Sequence, residues 1–345
     1  MKKIVSLICL FLGSSFFSFA AEDSLNQILP LLQKSHRTQT ENQQVLRLFR
    51  AATDPDVIFA TGASLVKLPP AKTQETALFT TLLRSQDPLK QTFCAVIITA
   101  MGSIHEDLAP LLQQALQSQD PVLRAYAAAA HAILQPQQAQ IADIVRLYIF
   151  DPNFAVRALN VTAGKNKSPF KYLKQASANA DPQIRVAAAT WLGTLHSSES
   201  AAVLLKMAKK AATAEEQAAV AQALAAQREK VFSSVVAGLR KKHTTPYANT
   251  CALALGFMTG NAVESIRQAL TGPNKNEHIN AARAAAYMAG VLNNPDAFAY
   301  SSDRKFDIHL LKGTIAPLNV LAKTGDETEK LYAANALTQI EKLME

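Results

Sequence analysis

Residues 181–193 read DPQIRVAAATWLG, and close variants of this stretch return about every thirty residues along the chain. An aspartate before a proline is typical of a helix start, because the carboxylate accepts a hydrogen bond from a free backbone N–H and proline tolerates the first helical position. Ile184, Ala187, Ala188 and Trp191 then follow at i, i+3, i+4 and i+7. The stretch therefore predicts an amphipathic helix with one apolar face.

The period of the copies predicts the architecture. Apolar stripes also recur between them, as in 199–211, 108–118 and 231–241, so each repeat is predicted to be a pair of short antiparallel helices. Because one pair cannot bury its own apolar face, neighbouring pairs must stack. We expect an all-α protein, a right-handed α-solenoid of about nine helix pairs with atypical end repeats. The aligned anchors are Asp54, Asp87, Asp120, Asn153, Asp181, Thr213, Thr244, the neighbourhood of His278, and Asp326.

The pattern D-P-x-x-R-x-A-A-A-x-x-L-G resembles the HEAT-like repeat of the phycobilisome-lyase type, within the HEAT and armadillo superfamily, and the resemblance covers residues 40–345. It implies a fold and not a reaction, since such folds carry many functions. It also implies a ladder between successive repeats, formed by the motif aspartate and arginine. The residues that match are Asp120, Asp151 and Asp181 with Arg124, Arg157 and Arg185.

The N-terminus predicts export. Lys2 and Lys3 precede a short apolar run, and small residues follow up to Ala20, which is typical of a secretory signal peptide. We expect residues 1–20 to be removed, with cleavage after Ala21 as the near alternative, and residues 21–345 to form the solenoid in the periplasm or outside the cell. An uncleaved anchor is the other interpretation of this segment.

The composition and motifs of the sequence give little support to the hypothesis that the protein is an enzyme. No HExxH, CxxC, P-loop or dinucleotide motif occurs, and we predict no catalytic residue, metal or cofactor. Cys94 and Cys251 fall at the tight Ala188 position of repeats far apart, which predicts free, buried thiols. His131 falls at the Leu192 position and is expected to be a half-buried, hydrogen-bonded core residue. Residues 160–162 read Asn-Val-Thr, which is a glycosylation sequon. Asn160 is predicted at the tight Ala188 position, however, where an attached sugar would be incompatible with packing.

The basic residues show order that is relevant to binding. Lys209 and Lys210 end one partner helix, and Arg240, Lys241 and Lys242 end the next, one repeat later. We call these five residues the basic ridge. Cations at helix C-termini complement the helix dipole, which explains them without any function. If the ridge binds a ligand, the partner is anionic: an acidic protein or peptide, a polyanionic glycan or a membrane surface.

The longest departure from the repeat is an insertion at 293–313, which precedes the last copy and contains Tyr300 and Arg304. It is a second candidate binding element, and the alternative is a loop packed over the C-terminal cap.

Four functions remain open from the sequence. The favoured one is an exported, non-catalytic scaffold that binds a protein or peptide partner in a bacterial envelope. The others are an enzyme of the bilin-lyase type, a nucleic-acid or polyanion-binding solenoid, and a structural spacer. Nucleic acid is not expected as the partner, because the ridge lacks the interleaved aromatics that stack bases and the predicted export removes the chain from cytosolic DNA and RNA.

Overall fold

The structure, a computed structural model, describes residues 30–34, 36–67, 83–84, 87–101, 109–164, 168–294 and 303–344. Within these ranges the regular structure is helical and contains no strand, so the expected all-α class is confirmed. The chain divides into two compact units, Met1–Tyr172 and Leu173–Glu345. A search of the described helices finds none with the length and apolar character needed to cross a membrane.

In the first unit, helices that begin at motif copies pack against one another in chain order. They are α2 (Pro55–Lys67), α3 (Pro88–Met101), α5 (Pro121–Leu134) and α7 (Pro152–Ala163). Partner helices α1 (Gln39–Ala51), α4 (Ala109–Ala115) and α6 (Ile141–Leu147) pack on them. The short α8 (Phe170–Ala176) contains the border between the two units.

The second unit repeats this arrangement. Its motif helices are α9 (Pro182–Gly193), α11 (Ala214–Ala226), α13 (Pro246–Phe257), α15 (Lys275–Asn293) and α18 (Glu327–Met344), each packed on the one before it. The partner helices are α10 (Ser198–Ala208), α12 (Arg228–Gly238), α14 (Val263–Thr271), α16 (Arg304–Lys312) and α17 (Ile315–Thr324). The partner helices predicted at 199–211, 231–241 and 108–118 are present as α10, α12 and α4. Of these, α10 and α4 are shorter than predicted, and α12 begins and ends three residues earlier.

Helix starts follow the predicted capping chemistry. Asp120 accepts hydrogen bonds from the backbone N–H groups of Val122 and Leu123, and Asp181 accepts one from Gln183. Two predicted anchors were wrong: the observed N-caps are Asp151 in place of Asn153 and Thr245 in place of Thr244. The anchor predicted in the neighbourhood of His278 is Asn274, four residues before it.

Small residues allow the motif helices to approach closely. Ala187, Ala188 and Ala189 are all 0 % exposed, and so are their counterparts Ala284 and Ala285. Interiors are packed at crystal-like density, so each methyl group here has a neighbour on every side. The predicted alanine core is confirmed.

The predictions for three buried side chains have different outcomes. Cys94 and Cys251 are free and buried, as predicted, and burial raises the pKa of Cys251 to about 12. His131 is buried, but neither of its ring nitrogens has a hydrogen-bond partner in the described part of the chain, so the expected hydrogen bond is not found there. Burial lowers the pKa of His131, because it removes water from around the charged form of the ring.

The Asn160 prediction was wrong. With Asp151 as the cap, Ala158 takes the tight position seven residues on and is 0 % exposed, whereas Asn160 is exposed. The physical reason is the two-residue shift of the anchor, which rotates Asn160 by about half a turn around the helix.

Candidate functional site

The basic ridge lies on the exposed C-terminal ends of two partner helices in the second unit. Lys209 is the C-cap of α10, and Lys210 follows it in a turn. Arg240, Lys241 and Lys242 follow α12, which ends at Gly238. All five side chains are exposed. The structure therefore places the predicted residues at the predicted helix ends.

Tyr247 connects the two parts of the ridge. Lys209 Nζ lies 5.7 Å from the centre of the Tyr247 ring, and Tyr247 is in the first turn of α13, just after the Lys242 loop. Burial and the Cys251 thiol raise the pKa of Tyr247 to about 12, so the ring stays a neutral phenol. A cation over an aromatic face is held by the quadrupole of the ring, so Lys209 of the first group contacts the helix that follows the second group.

The loop that carries Arg240–Lys242 is fixed from one side by α15. Asn280 Nδ2 donates hydrogen bonds to the carbonyls of Leu239 (2.8 Å) and Lys241 (3.0 Å). Arg283 Nη1 donates to the His243 carbonyl at 2.5 Å, and Asn276 Oδ1 accepts from the His243 N–H at 3.3 Å. These bonds satisfy carbonyls that the end of α12 leaves open, and they give the basic loop a defined conformation.

The Arg283 side chain is itself supported. Its Nη2 donates to the Tyr332 hydroxyl at 2.7 Å, and its guanidinium lies 4.5 Å from the Tyr332 ring centre. The His243 ring meets the same tyrosine edge-on at 6.4 Å between centroids. Two motif helices, α15 and α18, thus hold the loop that carries the cations.

Arg240 differs from the lysines because it has a carboxylate partner. Arg240 Nε lies 2.6 Å from Glu277 Oε1, and the arginine side chain is 72 % exposed while that of Glu277 is 13 % exposed. The four ridge lysines, by contrast, form no ion pair with the residues that the structure describes. Like charges brought together without counter-ions produce a positive surface potential.

A shallow groove opens beside the ridge. It has a volume of about 350 Å³ and lies where α12 faces Ser265 of α14. Its walls are apolar except for two serine hydroxyls and one charge at the end nearest the loop. The lining residues are Phe232, Ser233, Val236, Ala237, Arg240 and Ser265. Arg240 therefore belongs to both the groove and the ridge.

The second predicted element is only partly described. Residues 304–312 of the insertion at 293–313 form α16, and Arg304 Nε donates to the Leu292 carbonyl at 2.8 Å. Arg304 thus ties α16 to the end of α15. Tyr300 lies outside the described residues. The bond described for Arg304 is therefore to the end of α15 and not to a residue of the basic ridge.

The ladder residues act mainly within their own repeats. Arg124 Nη1 donates to the carbonyls of Ser118 and Gln119, and Arg185 Nη1 donates to those of Asn179 and Ala180, both just before their helices. Across repeats, Arg185 pairs with the buried Glu216 of α11. Arg185 thus joins the loop before its own helix to the first turn of α11, whereas Arg124 Nε lies 3.9 Å from Asp143 Oδ1 of the partner helix α6.

One ladder residue was placed in the wrong register. Asp151 caps α7 through the Phe154 N–H at 3.0 Å, and burial raises the pKa of its carboxyl. Arg157 lies six residues after this cap, not four as Arg124 and Arg185 do, and its side chain is exposed. Ala155 occupies the ladder position and is buried. Asp151 and Arg157 therefore do not form a rung of the Arg124 and Arg185 type.

Several site residues were missed by the sequence analysis. Asn276, Asn280 and Arg283 fix the basic loop, and their spacing of four and three residues on one face of α15 was a signal that could have been used. The inter-repeat hydrogen bonds from Asn249 Nδ2 to Gln217 Oε1 (2.5 Å) and from Tyr287 to Asn249 Oδ1 (2.9 Å) were also missed. These pairs are more than thirty residues apart, and nothing local indicates them.

No family model and no curated protein matches this sequence. Two solved structures, both titled as crystal structures of engineered proteins, match over most of the chain. The first is 17% identical, covers 99% of this chain and 99% of its own, and has a TM-score of 0.27. The second is 16% identical, covers 92% of this chain and 98% of its own, and has a TM-score of 0.20. At these TM-scores the likeness supports no statement about function.

Proposed function

We propose that this protein is a non-catalytic helical-repeat scaffold that binds an acidic protein or peptide through the basic ridge. One observation carries the proposal: four exposed lysines without ion-pair partners in the described residues flank an arginine that lines an apolar groove. Cations that served only solubility or the helix dipole would not require a loop fixed by three side chains of another helix. A fixed loop loses less entropy when a partner binds.

The repeat architecture and the location form part of the same proposal. The rows of motif helices in each unit support a helical-repeat architecture. From the period of the sequence we propose that this is a right-handed α-solenoid of about nine HEAT-like helix pairs. We also propose that residues 1–20 direct export, which places the scaffold and its partner in the periplasm or outside the cell. Fractionation of cells that express the chain with and without residues 1–20 tests this directly.

A crosslinking pull-down from the native envelope tests the binding proposal. The wild type is compared with the charge reversal K209E/K210E/K241E/K242E. The matched control reverses four exposed lysines outside both the ridge and the 293–313 insertion, K230E/K323E/K330E/K342E. We expect acidic proteins to be lost from the ridge variant and retained by the control. A partner list that is the same for the wild type and the ridge variant would eliminate the ridge as the binding site.

A polyanion is the second candidate partner, because the same unpaired lysines favour it. It is separated from an acidic protein by its salt dependence. The logarithm of the binding constant for a linear polyanion falls linearly with the logarithm of the salt concentration, and the slope is proportional to the number of charges neutralised. Binding to an acidic protein that also buries apolar surface keeps more of its affinity at high salt.

A further inference from the structure

The groove beside the ridge adds a second, apolar contribution to the proposed binding surface. Phe232, Val236 and Ala237 give it a floor that water solvates poorly, while Arg240 closes one end. A ligand that fits both features needs an apolar side chain and a carboxylate close together. Neither a nucleic-acid backbone nor a uniform acidic chain supplies the first of these.

The ion pair with Glu277 orients the Arg240 guanidinium and leaves its terminal nitrogens available for a ligand. Only Nε meets the Glu277 carboxylate. Arginine carries five N–H donors, and the four on the two terminal nitrogens have no partner among the residues that the structure describes, on a side chain that is 72 % exposed. Those terminal groups form the fork that binds a carboxylate in a bidentate manner. Glu277 is thus a positioning residue, and its backbone N–H donates to Asn274 Oδ1 at the start of α15.

We propose that the groove and the ridge together bind a peptide segment in which an apolar side chain precedes or follows a cluster of carboxylates. The apolar side chain occupies the space over Phe232 and Val236. The carboxylates meet Arg240, Lys241 and Lys242. This inference rests on the proposed function and specifies the partner: an acidic segment with one apolar anchor.

The geometry of α12 sets the spacing between anchor and acid. From Phe232 to Arg240 the chain advances by about 12 Å, at about 1.5 Å per helical residue. An extended peptide advances by about 3.3 Å per residue. The first carboxylate is therefore expected about three or four residues from the apolar anchor.

Fluorescence anisotropy with the full chain and synthetic peptides tests the inference. The probe peptide carries one leucine, two serines and then Asp-Glu-Asp, with a fluorescein label at its far end. One control peptide has serine in place of the leucine, and another has Asn-Gln-Asn in place of the acids. We expect the probe to bind the wild type, and each control peptide to bind at least about tenfold more weakly, the scale of one lost good contact.

Variants of the protein separate the groove from the ridge. S233E introduces a carboxylate into the groove at an exposed position, and K241E/K242E reverses the ridge charge. Each is expected to weaken probe binding at least about tenfold. The matched control K230E/K342E changes the charge as much as K241E/K242E does, at exposed sites outside both features, and is expected to leave affinity within about threefold. Circular dichroism of each variant shows whether it is folded.

The outcomes distinguish the two proposals. If the leucine-free acidic peptide binds as tightly as the probe and S233E has no effect, the groove inference is overturned while binding at the ridge survives. If no acidic peptide binds the wild type at millimolar concentration, the inference is overturned. If, in addition, the ridge reversal leaves the partner list of the pull-down unchanged, the proposed function is overturned as well.

Discussion

Gly193 of α9 packs directly on the backbone of α11, where a Cβ atom on this glycine would lie 2.9 Å from the Cα of Ala223. That distance is shorter than real Cβ contacts allow, and backbone does not move aside as a flexible side chain does. The absence of a side chain at Gly193 therefore sets how closely these two motif helices stack. Gly256 packs on Tyr287 of α15 in the same way, since a Cβ atom on Gly256 would lie 2.7 Å from the Cβ of Tyr287.

The substitution G193A is expected to lower the free energy of unfolding by about 1–3 kcal/mol, the usual cost of overpacking. Alanine is intrinsically the better helix former by about 1 kcal/mol, so a destabilised G193A shows that packing outweighs propensity. The control is G290A in α15, where nothing lies within 4 Å of the built Cβ. Urea unfolding followed by far-UV circular dichroism is expected to show G290A at or above wild-type stability. A stabilised G193A would mean that the two helices are further apart than described.

Arg185 and Glu216 form the best-defined ion pair between repeats in the described residues. Glu216 is 5 % exposed at its side chain, and its carboxylate also accepts the N–H groups of Ala212 and Thr213. The Arg185 guanidinium, with these N–H groups, holds the pKa of Glu216 below its usual value. R185M removes the cation and leaves a buried carboxylate with fewer partners, which costs about 2 kcal/mol or more at neutral pH.

A double-mutant cycle checks this pair. E216Q keeps a side-chain acceptor for the cap, so R185M/E216Q is expected to be more stable than R185M alone. The pH dependence has a defined sign: a lowered folded-state pKa stabilises above about pH 4.3, the ordinary glutamate value, and this stabilisation is lost as the pH falls through the folded-state pKa. The difference between wild type and R185M should shrink in that acid range. Additive effects of the two substitutions would contradict a direct interaction.

The N-cap residues show how accurately the helix starts could be predicted from the sequence. Asp120–Pro121 and Asp181–Pro182 were predicted correctly because the cap and its proline are adjacent. Thr245 was missed in favour of Thr244 although Pro246 follows it directly, and proline at the first helical position was the signal that should have decided. Asn274 was predicted only as the neighbourhood of His278, because α15 begins a turn before the repeat register predicts. Local capping chemistry is thus more reliable than a fixed period.

The basic ridge was predictable and the groove was not. Lysines at the ends of the partner helices were expected to be exposed, and all four are. Phe232 and Val236 resemble any apolar core stripe in the sequence. Only the position of α14 leaves them half-buried beside Arg240. Such a gap depends on contacts between residues about thirty positions apart, which a single sequence does not encode locally.

The cysteines are expected to be unreactive in the folded protein. Cys94 and Cys251 are both 0 % exposed, and burial holds the pKa of each thiol well above its ordinary value. Since the thiolate is the reactive form, a chain with Cys9 replaced by serine should bind no maleimide reagent until denatured. The added cysteine in A226C, at an exposed site at the end of α11, is the positive control. Rapid labelling of Cys251 in the native state would show that the contact between α12 and α13 opens.

The burial of the His131 ring predicts that the free energy of unfolding falls at acidic pH. It is 2 % exposed, and within the described ranges neither ring nitrogen has a hydrogen-bond partner. Its pKa in the folded state is lowered by burial, whereas histidine in an unfolded chain has a pKa of about 6.5. The unfolded chain therefore takes up a proton first as the pH falls below about 6.5, and stability is lost from there down to the folded-state pKa.

The substitution H131L removes both this proton uptake and the unpaired polar atoms, and leucine is the residue that the repeat itself has at position 192. We expect H131L to raise the free energy of unfolding by about 1–3 kcal/mol at pH 8. The increase should be larger at pH 5, because only the wild type is destabilised there by proton uptake on His131 in the unfolded chain. Thermal unfolding at the two pH values measures the difference. The control H309Q replaces an exposed histidine of α16 and should follow the wild type at both. If the gap between H131L and wild type is the same at pH 5 and pH 8, the folded protein accepts a proton on His131 as readily as the unfolded chain does, and the ring is not isolated in the core.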